Sequence, residues 1–126
     1  MKTFDILVCD DEESICLLLQ EVLTKLGHTV STCQDGATAI ELAQERAFNL
    51  VFLDIRMPGM DGVEVLKRLR VIHPDATYIM ITGFANAELV EASLQSGAAA
   101  CLAKPFSLSH LTKLLKDLTE GQPISA

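Results

Sequence analysis

The sequence predicts an α/β domain in which helices cover both faces of a five-stranded parallel sheet. Stretches typical of strands alternate strictly with stretches typical of helices, five times over, and this pattern implies right-handed β-α-β crossovers. Residues 50–53 form an unbroken apolar run, as expected of a strand buried on both faces. A chain of 126 residues, 49% of them hydrophobic, can build one core. We therefore expect a single domain over residues 1–120 and a polar tail over residues 121–126.

The first two β-α units follow from simple patterns. Residues 4–9 are mostly apolar and predict a strand. In residues 14–26 the apolar side chains recur at helical spacing, and Gly27 is the expected C-terminal cap of that helix. Residues 28–33 are rich in β-branched side chains, which indicates the second strand. An Asp-Gly turn then leads into a helix over residues 37–46, which has only a narrow apolar stripe.

The last three β-α units carry clear start and stop signals. Asp61 is the expected N-cap of the third helix, with Glu64 completing a capping box, and Pro74 ends that helix. Ser107 is the expected N-cap of the fifth. The predicted strands fall at residues 50–53, 76–81 and 99–102, and the predicted helices at residues 62–72, 87–96 and 108–118.

Composition excludes several classes of function. The net charge of -7 argues against direct binding of nucleic acid, because that requires a basic patch. No apolar run reaches membrane-spanning length and no signal peptide is visible, so we expect a cytoplasmic protein. The four cysteines lack zinc-ligand spacing and are interpreted as reduced core residues. The three histidines stand at element edges and are interpreted as solvated.

Complementary polar side chains follow four of the five predicted strands. Asp10 and Asp11 follow the first, Asp54 the third, Thr82 the fourth and Lys104 the fifth. Because a parallel sheet binds ligands at the carboxyl ends of its strands, we expect these side chains to line one crevice. If the first and third strands are neighbours, the three carboxylates repel one another unless a cation joins them. A hard cation with oxygen ligands, Mg²⁺, is the natural solution.

This set of residues predicts phosphoryl transfer. An aspartate can attack phosphorus and form an acyl phosphate, and we predict that Asp54 is this acceptor. Such a transfer depends mainly on positioning and on charge neutralisation. Lys104 supplies a fixed positive charge, and Thr82 supplies a hydroxyl that can donate a hydrogen bond to the phosphoryl group.

Four stretches of the sequence contain these residues: 8–12, 53–62, 81–83 and 104–106. Together they resemble the receiver domain of two-component response regulators. The resemblance covers residues 4 to about 118, and the loop after Asp54 is closest in wording to regulators of the nitrogen-regulation type. It implies a flavodoxin-like (βα)5 sheet of order 2-1-3-4-5. It also implies that a sensor histidine kinase or a histidine phosphotransfer protein phosphorylates Asp54.

The resemblance also assigns finer roles. It implies that Asp11 and Asp54 ligate Mg²⁺ directly, that Asp10 does so through water, and that the main-chain carbonyl of Arg56 is a further ligand. Lys104 would pair with the phosphoryl group, and its bond to Pro105 would be cis. The fourth helix, fifth strand and fifth helix would form the output face, acting on a downstream protein, on a fused output domain or in a homodimer. The domain would catalyse only its own phosphorylation and dephosphorylation.

The sequence departs from the family at Cys101, where an aromatic residue normally turns inward behind Thr82. A thiol cannot fill the volume of a ring, so we predict a switch that uses Thr82 and the backbone alone, or hardly any switch. Phe84 and Phe106 are candidates to take over the role. Arg56 and Phe84 each follow a site residue by two positions, and we predict that their bulk slows hydrolysis of the phosphoryl group.

Other functions fit less well. An aspartyl phosphatase of the haloacid-dehalogenase type needs a second acid where Arg56 stands. A flavodoxin-like cofactor binder needs a phosphate-cradling loop after the first strand, where the sequence has four acids instead. The main alternative is an interaction module that works without phosphorylation and keeps the pocket as a relic. Cys101 is the feature that favours it.

Overall fold

The computed structural model describes residues 3–57, 59–83 and 87–121 of the chain. The strands are β1 (Asp5–Cys9), β2 (Thr29–Cys33), β3 (Leu50–Asp54), β4 (Arg56–Met57), β5 (Met60–Asp61), β6 (Thr77–Thr82) and β7 (Ala100–Ala103). The helices are α1 (Glu13–Lys25), α2 (Gly36–Glu45), α3 (Gly62–Ile72), α4 (Ala87–Gln95) and α5 (Leu108–Glu120). The predicted elements are all present, and their bounds agree with the predicted ones to within two residues. The division into residues 1–120 and a tail stays a prediction, since residues 122–126 lie outside the described ones.

Five of the strands form one parallel sheet in the order β2-β1-β3-β6-β7. This is the predicted flavodoxin-like order, and it is confirmed. The direction in which successive strands are added reverses between β1 and β3, and these two strands are neighbours in the sheet. Cys9 pairs in register with Leu53, and Asp54 pairs with Ile81. The chain therefore delivers the residues that follow β1, β3 and β6 to one edge of the sheet.

The core is aliphatic and lies on both faces of the sheet. All five residues of β3 are buried, which explains its unbroken apolar run. Alternate residues of each strand pack into one of two clusters, because successive side chains point to opposite faces. Tyr78 is the largest fully buried side chain among the described residues, and its hydroxyl donates to the main-chain oxygens of Leu69 and His73. The sheet is thus a rigid platform for its carboxyl edge.

A small antiparallel hairpin, formed by β4 and β5, follows β3 and was not predicted. It lies close to the end of β3, because the Gly62 amide donates to the Ile55 carbonyl at 2.8 Å. A Cβ on Gly62 would clash with the Asp54 carbonyl oxygen and lie 2.6 Å from Ile55 Cα. Only glycine permits this approach. The hairpin is therefore fixed directly beside Asp54.

Two helix starts can be compared with their predicted caps. Ser107 accepts from the His110 amide at 3.1 Å, so the predicted cap of α5 is confirmed. Asp61 is the N-cap of α3, but its carboxylate accepts from the Val63 amide. The predicted capping box is wrong, because the Glu64 side chain pairs instead with Arg68 at 3.4 Å.

The interpretation of the histidines as solvated is wrong for His28 and His73. His28 is buried, stacks on the Phe4 ring and accepts a hydrogen bond from the Phe4 amide at 3.0 Å. Burial lowers the pKa of His28, which favours the neutral ring that this bond requires. His73 is half-buried, with Nε2 close to the main-chain oxygens of Ala43 and Arg46 at the end of α2. Both rings thus hold elements together.

In the part of the chain that the structure describes, no helix has the length and apolar character needed to span a membrane.

Candidate functional site

Three aspartates converge at the carboxyl edge of the sheet. Asp10 and Asp11 follow β1, and Asp54 is the last residue of β3. One carboxylate oxygen from each of them lies within 4.8 Å of the others. Asp10 and Asp54 are buried and Asp11 is exposed, so the cluster opens to solvent on one side. The sequence-based expectation that these three carboxylates share a crevice matches this geometry.

Asp54 is held in one orientation. Its Oδ1 atom accepts from the Arg56 amide at 3.2 Å, and its Oδ2 atom lies 3.4 Å from Lys104 Nζ. Burial, followed by repulsion from Asp10, raises the pKa of Asp54 to about 7, although the Arg56 amide and Lys104 act in the opposite direction. A single lysine therefore does not compensate the negative charge at this site.

Lys104 links three carboxylates. Its Nζ atom lies 2.8 Å from Asp10 Oδ2, 2.8 Å from Glu12 Oε1 and 3.4 Å from Asp54 Oδ2. Burial alone lowers the pKa of Lys104, but Asp10 and Glu12 more than offset this and raise it, so the side chain is a permanent cation. Its bond to Pro105 is cis. The side chain thus projects a fixed positive charge into the crevice.

The donor set fits a hard divalent cation. Asp10 Oδ1 accepts from the Glu12 amide at 2.9 Å. Asp10 Oδ2 is buried and lies against the Lys104 ammonium at 2.8 Å. Lys104 is one cation beside the three clustered carboxylates, so the cluster keeps an excess of negative charge that a divalent cation would neutralise. Asp10, Asp11 and Asp54 could therefore hold a metal that prefers oxygen ligands. The role of the Arg56 carbonyl stays a prediction.

Thr82 is placed next to this cluster by the register of the sheet. Asp54 pairs with Ile81, so Thr82 stands one residue further along the adjacent strand, and it is buried. The Lys104 amide donates to the Thr82 carbonyl at 2.8 Å, which ties the ends of β6 and β7 together. The sheet therefore presents the predicted hydroxyl and the predicted cation from neighbouring strand ends.

Cys101 lies on β7 opposite Met80 of β6 and is half-buried against the core. Burial raises the pKa of its thiol, so it is a neutral apolar side chain here. Phe106 is half-buried and packs against the other cluster. Phe84, the other candidate for the switch and a predicted shield of the phosphoryl group, lies outside the described residues.

Sequence reasoning missed the part played by Glu12 at this site. Its carboxylate pairs with Lys104, 92 positions later in the chain. The sequence placed Glu12 only within a run of acids before a helix, where a carboxylate also suits the helix dipole. The available indication of a role at the site was that Glu12 directly follows Asp10 and Asp11 in the sequence.

The fold and the site together define a doubly wound domain with an acidic, lysine-containing pocket at its topological switch point. The family model for the response regulator receiver domain matches residues 6–116. The chain therefore belongs to the response regulator receiver domain family, as its sequence motifs indicated.

Sequence similarity to characterised regulators supports this assignment. The chain is 34% identical over 116 residues to sporulation initiation phosphotransferase F of Bacillus subtilis, covering 92% of this chain and 94% of that protein. It is 36% identical over 113 residues to the transcriptional regulatory protein ZraR of Klebsiella oxytoca, covering 90% of this chain but 26% of that protein. The chain thus spans nearly all of the first relative and about a quarter of the second.

The solved receiver domain of NtrX from Brucella abortus has the same fold. Its TM-score to this chain is 0.85 at 35% sequence identity, and the match covers 92% of this chain and 98% of that one.

Proposed function

We propose that this receiver domain accepts a phosphoryl group on Asp54 from a phosphohistidine of a sensor kinase or of a phosphotransfer protein. The observation that carries the proposal is the convergence of three carboxylates and Lys104 around the end of β3. The pocket combines a nucleophile with positive charge and a metal-ligand set, which are the parts that phosphoryl transfer requires. Membership of the receiver family supports the same function.

Each side chain has a distinct part in this reaction. A carboxylate oxygen of Asp54 bonds to phosphorus while the bond from phosphorus to the donor's imidazole nitrogen breaks, which leaves an acyl phosphate on Asp54. Lys104, 3.4 Å from that carboxylate, offsets the charge of the phosphoryl oxygens. The Thr82 hydroxyl donates a hydrogen bond to the phosphoryl group once this group is attached to Asp54. The domain thus promotes its own phosphorylation and subsequent hydrolysis, and it acts on no other substrate.

We propose Mg²⁺ as the cation of the site. It would be held by Asp11 and Asp54 directly, by Asp10 through water and by the Arg56 carbonyl. When bound, it would neutralise carboxylate and phosphoryl charge. The proposal is supported by the all-oxygen donor set and by the excess of carboxylates over the single lysine of the cluster.

The signal would leave through the surface of α4, β7 and α5, by binding a protein target, by acting on a fused output domain or by forming a homodimer. The chain itself would bind no nucleic acid, consistent with its net charge of -7, and it would act in the cytoplasm. We expect the half-buried thiol of Cys101 to weaken the usual coupling between Thr82 and this face.

A mass measurement tests the assignment of Asp54. The purified chain is incubated with acetyl phosphate and Mg²⁺, and intact mass spectrometry should reveal the gain of one phosphoryl group. Asp54→Asn should remove the gain, whereas Asp75→Asn, a change at an exposed aspartate away from the site, should keep it. No gain in the wild type, or an equal gain in Asp54→Asn, would refute the proposal.

An interaction module that works without phosphorylation is the second candidate, and Cys101 is the observation that favours it. Amide chemical shifts of α4 with and without beryllofluoride, an anion that mimics a phosphoryl group, distinguish the two. Small shifts confined to the pocket would agree with a weakened switch. A large shift across α4 would contradict the expected effect of Cys101.

A further inference from the structure

The Lys104 ammonium has more than one acidic partner, and its partners differ in exposure. The Glu12 and Asp10 oxygens each lie 2.8 Å away, whereas the Asp54 oxygen lies 3.4 Å away. The Asp10 and Asp54 side chains are 0% and 6% exposed, but the Glu12 side chain is 56% exposed. Glu12 is therefore the partner on the solvent side of the crevice, and the contact to the phosphoacceptor is the longest of the three.

The backbone of Glu12 is fixed although its side chain reaches into water. Its amide donates to Asp10 Oδ1 at 2.9 Å, and its carbonyl accepts from the Ile15 and Cys16 amides at the start of α1. Glu12 can therefore release Lys104 by rotating its side chain, without any change in the first turn of the helix. The released carboxylate would be hydrated at little cost.

We propose that Glu12 is a positioning residue that holds Lys104 in the unphosphorylated domain and competes with the phosphoryl group for it. This inference rests on the proposed function of Asp54. A phosphoryl group on Asp54 brings a second negative charge and further acceptor oxygens to the side of Lys104 that faces the pocket. Lys104 then exchanges Glu12 for the phosphoryl oxygens. The strength of the Glu12 pair thus sets how readily the phosphorylated form is stabilised.

The expected effect is modest, because a partly exposed ion pair is weak. Pairs of this kind correspond to a factor of about 1.5 to 5 in an equilibrium constant. Removing the Glu12 charge should also weaken Mg²⁺ binding, since every carboxylate near the site attracts the cation. The two effects oppose each other at low Mg²⁺ concentration, so competition for Lys104 must be measured when the cation site is saturated.

The test is the affinity of the full chain for beryllofluoride at saturating Mg²⁺, followed by ¹⁹F NMR. Glu12→Gln removes the charge, and Glu12→Asp keeps the charge but shortens its reach by one methylene. Glu13→Gln is the matched control, because Glu13 is exposed, adjacent and not paired with Lys104 among the described residues. We expect Glu12→Gln to bind beryllofluoride about 1.5- to 5-fold more tightly than the wild type, with Glu13→Gln unchanged.

Two further readouts separate this role from a structural one. Glu12→Asp should also bind more tightly than the wild type, because the contact and not the charge is lost. The advantage of Glu12→Gln should shrink as salt is raised from about 0.05 to 0.5 M, since screening weakens the wild-type pair.

Several outcomes would overturn the inference. Equal or weaker beryllofluoride binding by Glu12→Gln would mean that Glu12 does not compete for Lys104. An equal gain in Glu13→Gln would assign the effect to the general field of the acids. If the wild type bound no beryllofluoride and gained no phosphoryl mass, the proposed function itself would fail. If the wild type gained the mass and Glu12→Gln bound with unchanged affinity, only the role of Glu12 would fail.

Discussion

At the scale of single residues, Asp54 shows how a binding site is built at the expense of stability. The carboxylate is buried beside Asp10. Lys104 Nζ lies 3.4 Å from the Asp54 carboxylate but 2.8 Å from that of Asp10. Its pKa is raised from 3.8 to about 7, so the native state holds a proton in a pH range where the unfolded state has lost it. Stability is therefore lost as the pH rises through this range, and above about pH 7 the native state carries a buried charge.

This loss of stability with rising pH leads to a prediction for the metal-free domain. Asp54→Asn cannot ionise, so its thermal midpoint should exceed that of the wild type by about 2–6 °C at pH 8. At pH 4 the two midpoints should nearly coincide, because the wild-type carboxyl is then neutral in the native state. Melting followed by circular dichroism in the presence of a chelator measures the difference.

The control for this prediction is Asp75→Asn, which changes an exposed aspartate. It should follow the wild type at both pH values. A difference between Asp54→Asn and the wild type that is the same at pH 4 and pH 8 would contradict the assigned pKa shift.

At the scale of secondary-structure elements, the hairpin of β4 and β5 matters most, because it positions the chain after Asp54. Its contact with the end of β3 depends on the missing side chain of Gly62, where a Cβ would meet the backbone of Asp54 and Ile55. Backbone atoms cannot move aside as a flexible side chain can. The close approach of residue 62 to the end of β3 therefore requires glycine.

We predict that Gly62→Ala lowers the free energy of unfolding by about 1–3 kcal/mol, as overpacking of a tight contact usually does. Gly83→Ala is the comparison, because a Cβ there would lie 3.9 Å from Lys104 Cδ, the nearest atom that the described residues offer. Chemical denaturation of both variants measures the difference. A loss in Gly62→Ala no larger than that in Gly83→Ala would contradict the proposed role of the contact.

Some of these elements could be predicted from the sequence, and others could not. The five β-α units were predictable because strands and helices impose different hydrophobic periods and because Asp61 and Ser107 are strong caps. The hairpin was not, because strands of two residues carry no period. The pairing of Glu12 with Lys104 was hidden for another reason: a contact across 92 positions leaves no local pattern. His28 was misjudged because a histidine at a strand edge can face either water or the core.

At the scale of the whole molecule, the acidic pocket should make stability depend on divalent cations. A ligand that binds the native state alone raises the free energy of unfolding, by about 2.7 kcal/mol at a hundred times its dissociation constant. We predict that Mg²⁺ raises the thermal midpoint, because Asp10, Asp11 and Asp54 come together only in the folded chain. Calorimetry with and without Mg²⁺, at matched ionic strength, measures the increase.

The variant Asp11→Asn should lose most of this increase, since Asp11 is one of the three clustered carboxylates. Asp75→Asn should keep it, since Asp75 lies outside the cluster. An equal increase in both variants would place the stabilising cation somewhere else on the surface.

The residues that form the pocket are spread along the sequence, and this has a consequence during translation. Asp10 and Asp11 emerge from the ribosome early, whereas Lys104 comes after β7, the last strand of the sheet. A nascent chain that has completed β3 already carries Asp54, but it lacks the lysine that would hold a phosphoryl group there. If Asp54 accepts a phosphoryl group as proposed, the pocket that holds this group is complete only in chains whose translation has passed β7.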